Sequence, residues 1–209
     1  MNETTFDINV FIRESKEVLL NPRSYFSTMK TTGGFVEPII KALIYGAVAG
    51  VLSFLWSILH LSFGGMFGGA FGIMILIWAV IGSVVGLFLG AVVTLVISAI
   101  CKGNQDFEAC LRVSAAVMVV MPISALLGFL SGLNITLGSV VSLGVNLFAL
   151  YLLYHALVEC LKANVSSSKI ALLVLAGLLV IFFLVGLGAR KKVSKMDSEM
   201  KELLEEFKK

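Results

Sequence analysis

Within its long apolar runs this sequence contains few residues that could do chemistry, chiefly Asn146, His155 and Glu159. His155 and Glu159 are four residues apart, which places them one turn apart on a helix. Polar and ionisable groups inside apolar spans are costly and commonly mark ion or proton pathways. The three residues therefore suggest a polar path. The alternative is that Asn146 bonds to a neighbouring helix, while His155 and Glu159 lie at a membrane interface.

The sequence shows no spacing that is typical of a catalytic or metal site. Cys101, Cys110 and Cys160 form no CxxC pair, and the apolar runs carry serines without a histidine or carboxylate near their centres. No dense basic run is interleaved with aromatic residues, which argues against nucleic acid as a partner. We therefore predict a protein that is not an enzyme and that binds no metal or other cofactor.

The composition indicates a membrane protein. Hydrophobic residues make up 58% and charged residues 14% of the chain, against about 25% charged residues in an ordinary soluble domain. Five apolar runs are long enough to cross a bilayer core as helices, at 39–61, 72–100, 112–131, 139–161 and 170–189. The predicted fold is an all-α bundle of five transmembrane helices, with short amphipathic helices at both ends.

Charge divides the chain into three parts. They are a cytoplasmic N-terminal segment at 1–37, a five-span membrane domain at 38–190 and a charged tail at 191–209. Apolar residues recur at near-helical spacing from Ile8 to Leu19, which predicts an amphipathic helix able to lie on a membrane surface. In the tail, Ser194 and Asp197 predict a capping box that begins a second amphipathic helix.

The links between the spans predict which side of the membrane each faces. Links 102–112 and 159–169 carry Lys and Arg, whereas a glycine-rich turn at 64–72 and the link at 134–138 carry neither. Cytoplasmic loops are enriched in these cations, so the N-terminus is predicted to be cytoplasmic. Five spans then place the tail on the opposite side, although the three cations at 190–192 favour the reverse.

Small residues on the second span predict close helix contacts. Gly82, Gly86 and Gly90 recur every four residues and share one helix face. We interpret this face as an internal packing surface, with self-association into a homo-oligomer as the alternative. In the third span, Pro122 predicts a bend.

Two segments of the sequence resemble the Yip-domain family. The first is NPRSYFSTMK, which contains Pro22, Tyr25 and Phe26 and leads through a glycine pair to the first span. The second is KGNQDFEACLRVSAAVMVVMP, between the second and third spans. Its matching residues are Gly103, Asn104, Phe107, Glu108, Arg112 and Pro122. Together with the five spans, the resemblance covers nearly the whole chain.

The resemblance implies a five-helix membrane domain with a cytoplasmic N-terminus, in which the motif residues serve partner binding. Eukaryotic relatives are associated with secretory trafficking and bind Ypt/Rab GTPases or membrane-shaping proteins, whereas prokaryotic relatives have no assigned activity. The short N-terminal region lacks a DLYGP-like segment and so resembles a prokaryotic-type member in a plasma membrane. We predict a membrane scaffold or adaptor that contacts the bilayer and protein partners. The alternative is a small transporter or channel built on the polar path.

Overall fold

The computed structural model describes residues 7–59 and 69–206, and within these ranges it contains helices but no strand. Five apolar helical segments are long enough to cross a membrane: Val36–Ile58, Leu76–Ile100, Phe107–Leu133, Ile135–Cys160 and Val165–Gly186. Each lies close to the apolar run that predicted it. The all-α, five-span membrane fold is therefore confirmed.

Two short helices precede the first span, α1 (Ile8–Leu20) and α2 (Pro22–Thr28). The Asp7 carboxylate caps α1 by accepting the N–H of Asn9 at 2.8 Å. Pro22 is the first residue of α2. The N–H groups of the first helical turn have no acceptor within the helix, so the missing N–H of proline costs no helical hydrogen bond there. The predicted N-terminal amphipathic helix is thus present, and a second helix follows it directly.

The first two spans belong to α3 (Val36–Ile58) and α4 (Gly69–Ile100), which pack against each other extensively. Gly46 of α3 permits this approach, because an added Cβ would lie 3.0 Å from the Ala79 carbonyl of α4 and would clash with a serine beside it. Most of the predicted glycine-rich turn at 64–72 lies outside the described residues. Its last residues, from Gly69 onward, are helical rather than part of a turn.

The third span is broken into α5 (Phe107–Val117), α6 (Val120–Leu126), a 3₁₀ turn and α7 (Leu130–Leu133). Pro122 lies in the first turn of α6, directly after the break at 118–119. Proline has no N–H to donate, which fits an interruption of the regular helical hydrogen bonding just before it. The bend at Pro122 stays a prediction.

The fourth span comprises α8 (Ile135–His155) and a π-helical turn at Ala156–Cys160. The link before α8 is shorter than predicted, because Asn134 alone separates it from α7. The Asn134 side chain caps α8, accepting the N–H of Thr136 at 2.9 Å.

The last helix, α9, runs from Val165 to Glu206 without interruption. Up to Glu206 the tail is helical as predicted, but it forms the last part of α9. The predicted capping box is wrong, since Ser194 and Asp197 lie inside α9 and do not begin a new helix. At about 1.5 Å per residue, α9 is longer than the roughly 30 Å of a bilayer core. The predicted boundary after residue 190 accordingly falls within a continuous helix.

Burial is uneven along the bundle. In the most apolar stretch of each of the first three spans 28%, 28% and 33% of residues are buried, against 11% and 6% for the last two. The larger core cluster joins α1 and α2 to the adjacent ends of the spans. Its most buried members include Val18, Phe26, Val113, Leu152, Leu157 and Leu161. The best-packed region is thus one end of the bundle.

Candidate functional site

The predicted family-motif residues come together at this well-packed end. We call it the cap, which consists of α1, α2, the segment 29–35 that follows them, and the two links 101–106 and 161–164. The cap rests on the adjacent ends of α3, α5 and α8. Residues far apart in the sequence therefore form one structure.

Three motif residues fix α2 to the bundle. Pro22, Tyr25 and Phe26 are buried, and the two aromatic rings meet edge to face with centroids 5.3 Å apart. Burial, and secondly the nearby Glu14 carboxylate, raise the pKa of Tyr25, so its phenol stays neutral. These side chains hold α2 in place from within the cap and offer little surface of their own to a partner.

Arg112 is the centre of an ion network that joins the segment 29–35 to α3 and α5. Its side chain is 7% exposed, and its guanidinium lies 2.9 Å from Glu37 Oε2 and 3.3 Å from Glu108 Oε1. It also donates to the Gly34 carbonyl at 3.1 Å, while the Gly34 N–H donates to Glu108 at 2.6 Å. A planar guanidinium has several donors and suits such convergent binding.

The network extends to α1 through Lys41. The Lys41 ammonium lies 2.7 Å from both Glu37 Oε1 and Glu14 Oε2, and only 11% of its side chain is exposed. Beside this contact, the Phe11 ring of α1 packs on Tyr45 of α3 with centroids 5.0 Å apart. Removing a carboxylate would leave a largely buried cation with one partner fewer, which costs more than losing an exposed pair. The network therefore fixes α1 against the first span.

The two charged links pair with each other through their backbones. The Asn104 N–H donates to the Leu161 carbonyl at 2.7 Å, and the Asn164 N–H donates to the Cys101 carbonyl at 2.9 Å. Each link also holds a lysine in the left-handed region, Lys102 at φ 57° and Lys162 at φ 53°. The pairing is reciprocal and locks the end of α4 to the end of the fourth span.

Gly103, a motif residue, is required by this close pairing. An added Cβ would lie 2.6 Å from Ser98 Oγ, 2.9 Å from Ala163 Cβ and 3.0 Å from the Leu161 carbonyl. The Ser98 hydroxyl donates to the Asn104 carbonyl at 2.6 Å, so the link folds back onto α4. Any side chain at 103 would push the two links apart.

The remaining motif residues open the third span. The Asp106 carboxylate caps α5 by accepting the N–H of Glu108 at 3.0 Å, and the Asn104 side chain accepts the N–H of Asp106. The Phe107 ring meets Phe35 of the segment 29–35 edge to face, with centroids 6.2 Å apart. The motif between the second and third spans thus connects a paired link, a helix cap and the ion network.

Sequence reasoning did not identify Glu14 and Tyr45 as members of the site. Lys41 carried a signal, since a cation within an apolar run needs a partner and Glu37 precedes it by one helical turn. Nothing in the sequence distinguished Glu14, because it is one of several charged residues on α1. The pairing of Glu14 with Lys41 depends on how α1 folds back, which local spacing does not specify.

The residues of the predicted polar path do not line a common path in the described chain. Asn146 is exposed on α8 and donates to the Ser142 carbonyl of its own helix at 2.8 Å, not to a neighbouring helix. His155 packs edge-on against two tyrosines of α8, and Glu159 pairs with Arg23 of α2 at 2.9 Å. His155 and Glu159 lie at the cap end of the span. The transporter alternative receives no support from this arrangement.

The three glycines predicted to share one face of the second span lie in two different environments. A Cβ at Gly90 would meet the Ser114 hydroxyl of α5, so this residue lies in a helix contact. Gly82 and Gly86 have no described side chain or neighbouring backbone within reach and are exposed. The neighbouring residues Ser83 and Leu87, one position after each of these two glycines, are buried instead. The predicted internal packing role therefore applies to Gly90 and not to the other two.

The outer surface of the cap combines apolar and charged groups. On α1, Phe11 and Val18 face inward, whereas Ile8 and Ile12 are 50% and 46% exposed. A cavity of about 530 Å³ lies between α1, the segment 29–35 and α3, and charged side chains of both signs, including Lys30, line it. Among the described residues no group of three potential metal ligands occurs. The outer surface of the cap thus carries exposed apolar side chains beside a cavity lined by charged groups.

The comparison with known families agrees with the two motif segments and the five spans. The model of the Yip1 domain matches residues 16–189, which include α2, every span and both paired links. No curated protein and no solved structure matches the chain. Since the match covers most of its length, the chain is a multi-pass membrane protein that belongs to the Yip1-domain family.

Proposed function

We propose that this protein is a non-enzymatic membrane scaffold that recruits a protein partner to the cap. The main support for this proposal is the ion network from Glu14 through Lys41 and Glu37 to Arg112. This network holds α1 in one orientation on the spans. A helix that served only as a loose surface anchor would not need buried ion pairs to fix it. A fixed helix presents the same residues to every incoming partner, which lowers the entropic cost of binding.

The proposed contact surface is the outer face of α1. Ile8, Ile12 and Leu20 are 50%, 46% and 76% exposed, and the network prevents α1 from turning them inward. Exposed apolar residues rimmed by charges are typical of protein–protein contact sites. The charged cavity beside α1 favours a partner that also brings polar groups. The proposed side of the cap is the cytoplasm, because its described residues include Arg13, Lys16, Arg23, Lys30, Lys102 and Lys162. The proposed membrane, the plasma membrane of a prokaryotic cell, rests on the resemblance to prokaryotic-type members alone.

The proposal is tested by replacing Ile8 and Ile12 together with serine in the full-length protein. We expect recovery of cross-linked protein partners from native membranes to fall several-fold, since both apolar contacts are lost, while the thermal unfolding temperature stays unchanged. The matched control is Phe11→Ser on the inward face of the same helix. It should lower the unfolding temperature, because Phe11 is 7% exposed and packs on Tyr45.

Two results would contradict the proposal. Partner recovery that is unchanged in the double variant would remove α1 from the contact surface. Loss of co-purifying lipid with unchanged protein partners would show that α1 is a lipid anchor and not a recruitment site.

A further inference from the structure

The fourth span exposes a side-chain amide near the middle of its length. Asn146 stands 11 residues after Ile135 and 14 residues before Cys160, the two ends of the span. At about 1.5 Å per residue this is close to the centre of a bilayer core. Its Nδ2 donates to the Ser142 carbonyl of the same helix, and the described residues offer no donor to its Oδ1. In hydrocarbon, a polar group without a partner is costly.

Small residues surround Asn146 on the same side of α8. Ser142 and Ala149 are spaced from it by the four- and three-residue steps that keep side chains on one helix face. Small side chains allow the backbone of another helix to approach closely, which brings an amide within hydrogen-bonding distance. Only 11% of the apolar stretch of this span is buried, so the bundle itself leaves room for another helix here.

We propose that this face binds a second copy of the same chain, with the two Asn146 amides bonded to each other. An amide carries both donor N–H groups and an acceptor oxygen, so it is complementary to itself. A two-fold axis parallel to the membrane normal would place Asn146 opposite its own copy, and each Nδ2 would donate to the partner's Oδ1. Lipid acyl chains offer no hydrogen bond at this depth. The amide therefore selects a polar protein neighbour, and the identical chain supplies the matching group at the matching depth.

The dimer would form through the loosely packed half of the molecule and leave the cap free. It thus goes beyond the recruitment proposed for α1, since it would present two caps side by side on one membrane face. Two sites on one assembly bind a divalent partner more tightly than either site alone. The two proposals fail separately, because one depends on α1 and the other on α8.

The test measures energy transfer between donor- and acceptor-labelled full-length protein in liposomes, over a series of protein-to-lipid ratios. We expect Asn146→Leu to raise the apparent dissociation constant about tenfold, a size consistent with the loss of two interhelical hydrogen bonds in a membrane. Asn146→Gln, which keeps an amide, should retain most of the association. The unfolding temperature of each labelled variant is measured on detergent-solubilised monomer and should not change, because Asn146 is exposed in a single chain.

A matched control moves the amide around the helix. Leu147 is 36% exposed and follows Asn146 directly, so Asn146→Leu combined with Leu147→Asn keeps composition and depth while shifting the amide by about 100°. This variant should not recover association. Recovery, or equal association of Asn146→Leu and the wild type, would overturn the proposal. Energy transfer that never exceeds that of an unrelated monomeric membrane protein would do the same.

Discussion

The first three spans and the last two are built differently. The first three pack under the cap and enclose small polar groups such as Ser83 and Ser114, whereas the last two bury only 11% and 6% of their most apolar stretches. Both halves are apolar enough for a bilayer, so hydrophobicity alone does not explain the contrast. In lipid, apolar residues gain little from turning inward, and close packing arises where small residues and polar contacts favour it.

The two halves also treat polar groups differently. Lys41 and Arg112, near the ends of the first and third spans, are each bonded to two carboxylates. Asn146, in the fourth span, has a described partner only within its own helix. Because Lys41 and Arg112 are paired with carboxylates of the same chain, the first half needs no second molecule to neutralise them. The exposed amide in the other half is the observation behind the proposed dimer.

The largest expected effect comes from breaking the network at its centre. Arg112→Leu would remove the described cation of Glu108, one of the two described cations of Glu37 and the donor to the Gly34 carbonyl. We expect a loss of about 3 kcal/mol in the free energy of unfolding, because several charge-assisted hydrogen bonds of a buried arginine are lost together. The measurement is unfolding in mild detergent with a titrated denaturing detergent. The matched control, Arg23→Leu, removes an ion pair whose arginine is 81% exposed, so it should change stability little.

Equal stability of the two arginine variants would contradict the assignment of Arg112 to a buried network. It would also weaken the contrast between the halves, because the first would then owe its order to apolar packing alone.

The next effect concerns the pairing of the two links. Gly103→Ala introduces a Cβ that overlaps Ser98 and Ala163, and such overpacking costs about 1–3 kcal/mol. The matched control is Gly82→Ala on the exposed face of α4, where an added methyl meets no described atom. We expect the unfolding temperature to fall for Gly103→Ala and to remain unchanged or rise for Gly82→Ala. If Gly82→Ala were the more harmful variant, a neighbour would cover that glycine face.

Sequence patterns predicted the spans well because hydropathy and length report directly on solubility in lipid. The third span shows their limit. Its predicted start was residue 112, since Arg112 appeared to end the charged link, but α5 begins at Phe107. The arginine lies inside the helix because Glu37 and Glu108 neutralise it. A hydropathy profile scores Arg112 as a charged residue and contains no information about the carboxylates that pair with it.

The site was predictable only in its parts. The motif residues Gly103, Glu108 and Arg112 were identified by resemblance, but the contact of Arg112 with Glu37 spans 75 positions of sequence. No local period specifies such a pair. The direction of Gly82 and Gly86 was likewise undetermined, since a stripe of small residues fits a neighbouring helix and an open face equally. The cytoplasmic position of the N-terminus remains a prediction from loop charge.

The smallest expected effect on stability comes from comparing a serine that contacts a neighbouring helix with a serine that is exposed. Ser114 of α5 donates to the Leu87 carbonyl of α4 at 3.2 Å, and its hydroxyl lies where Gly90 leaves space. Interhelical hydrogen bonds of this kind contribute about 0.6 kcal/mol in membrane proteins, so Ser114→Ala should lower the free energy of unfolding by that amount. Ser142→Ala, at an exposed position of α8, should leave the unfolding of detergent-solubilised monomer unchanged. A larger loss for Ser142→Ala would reverse the comparison, because the half left open in a single chain would then hold the tighter polar contact.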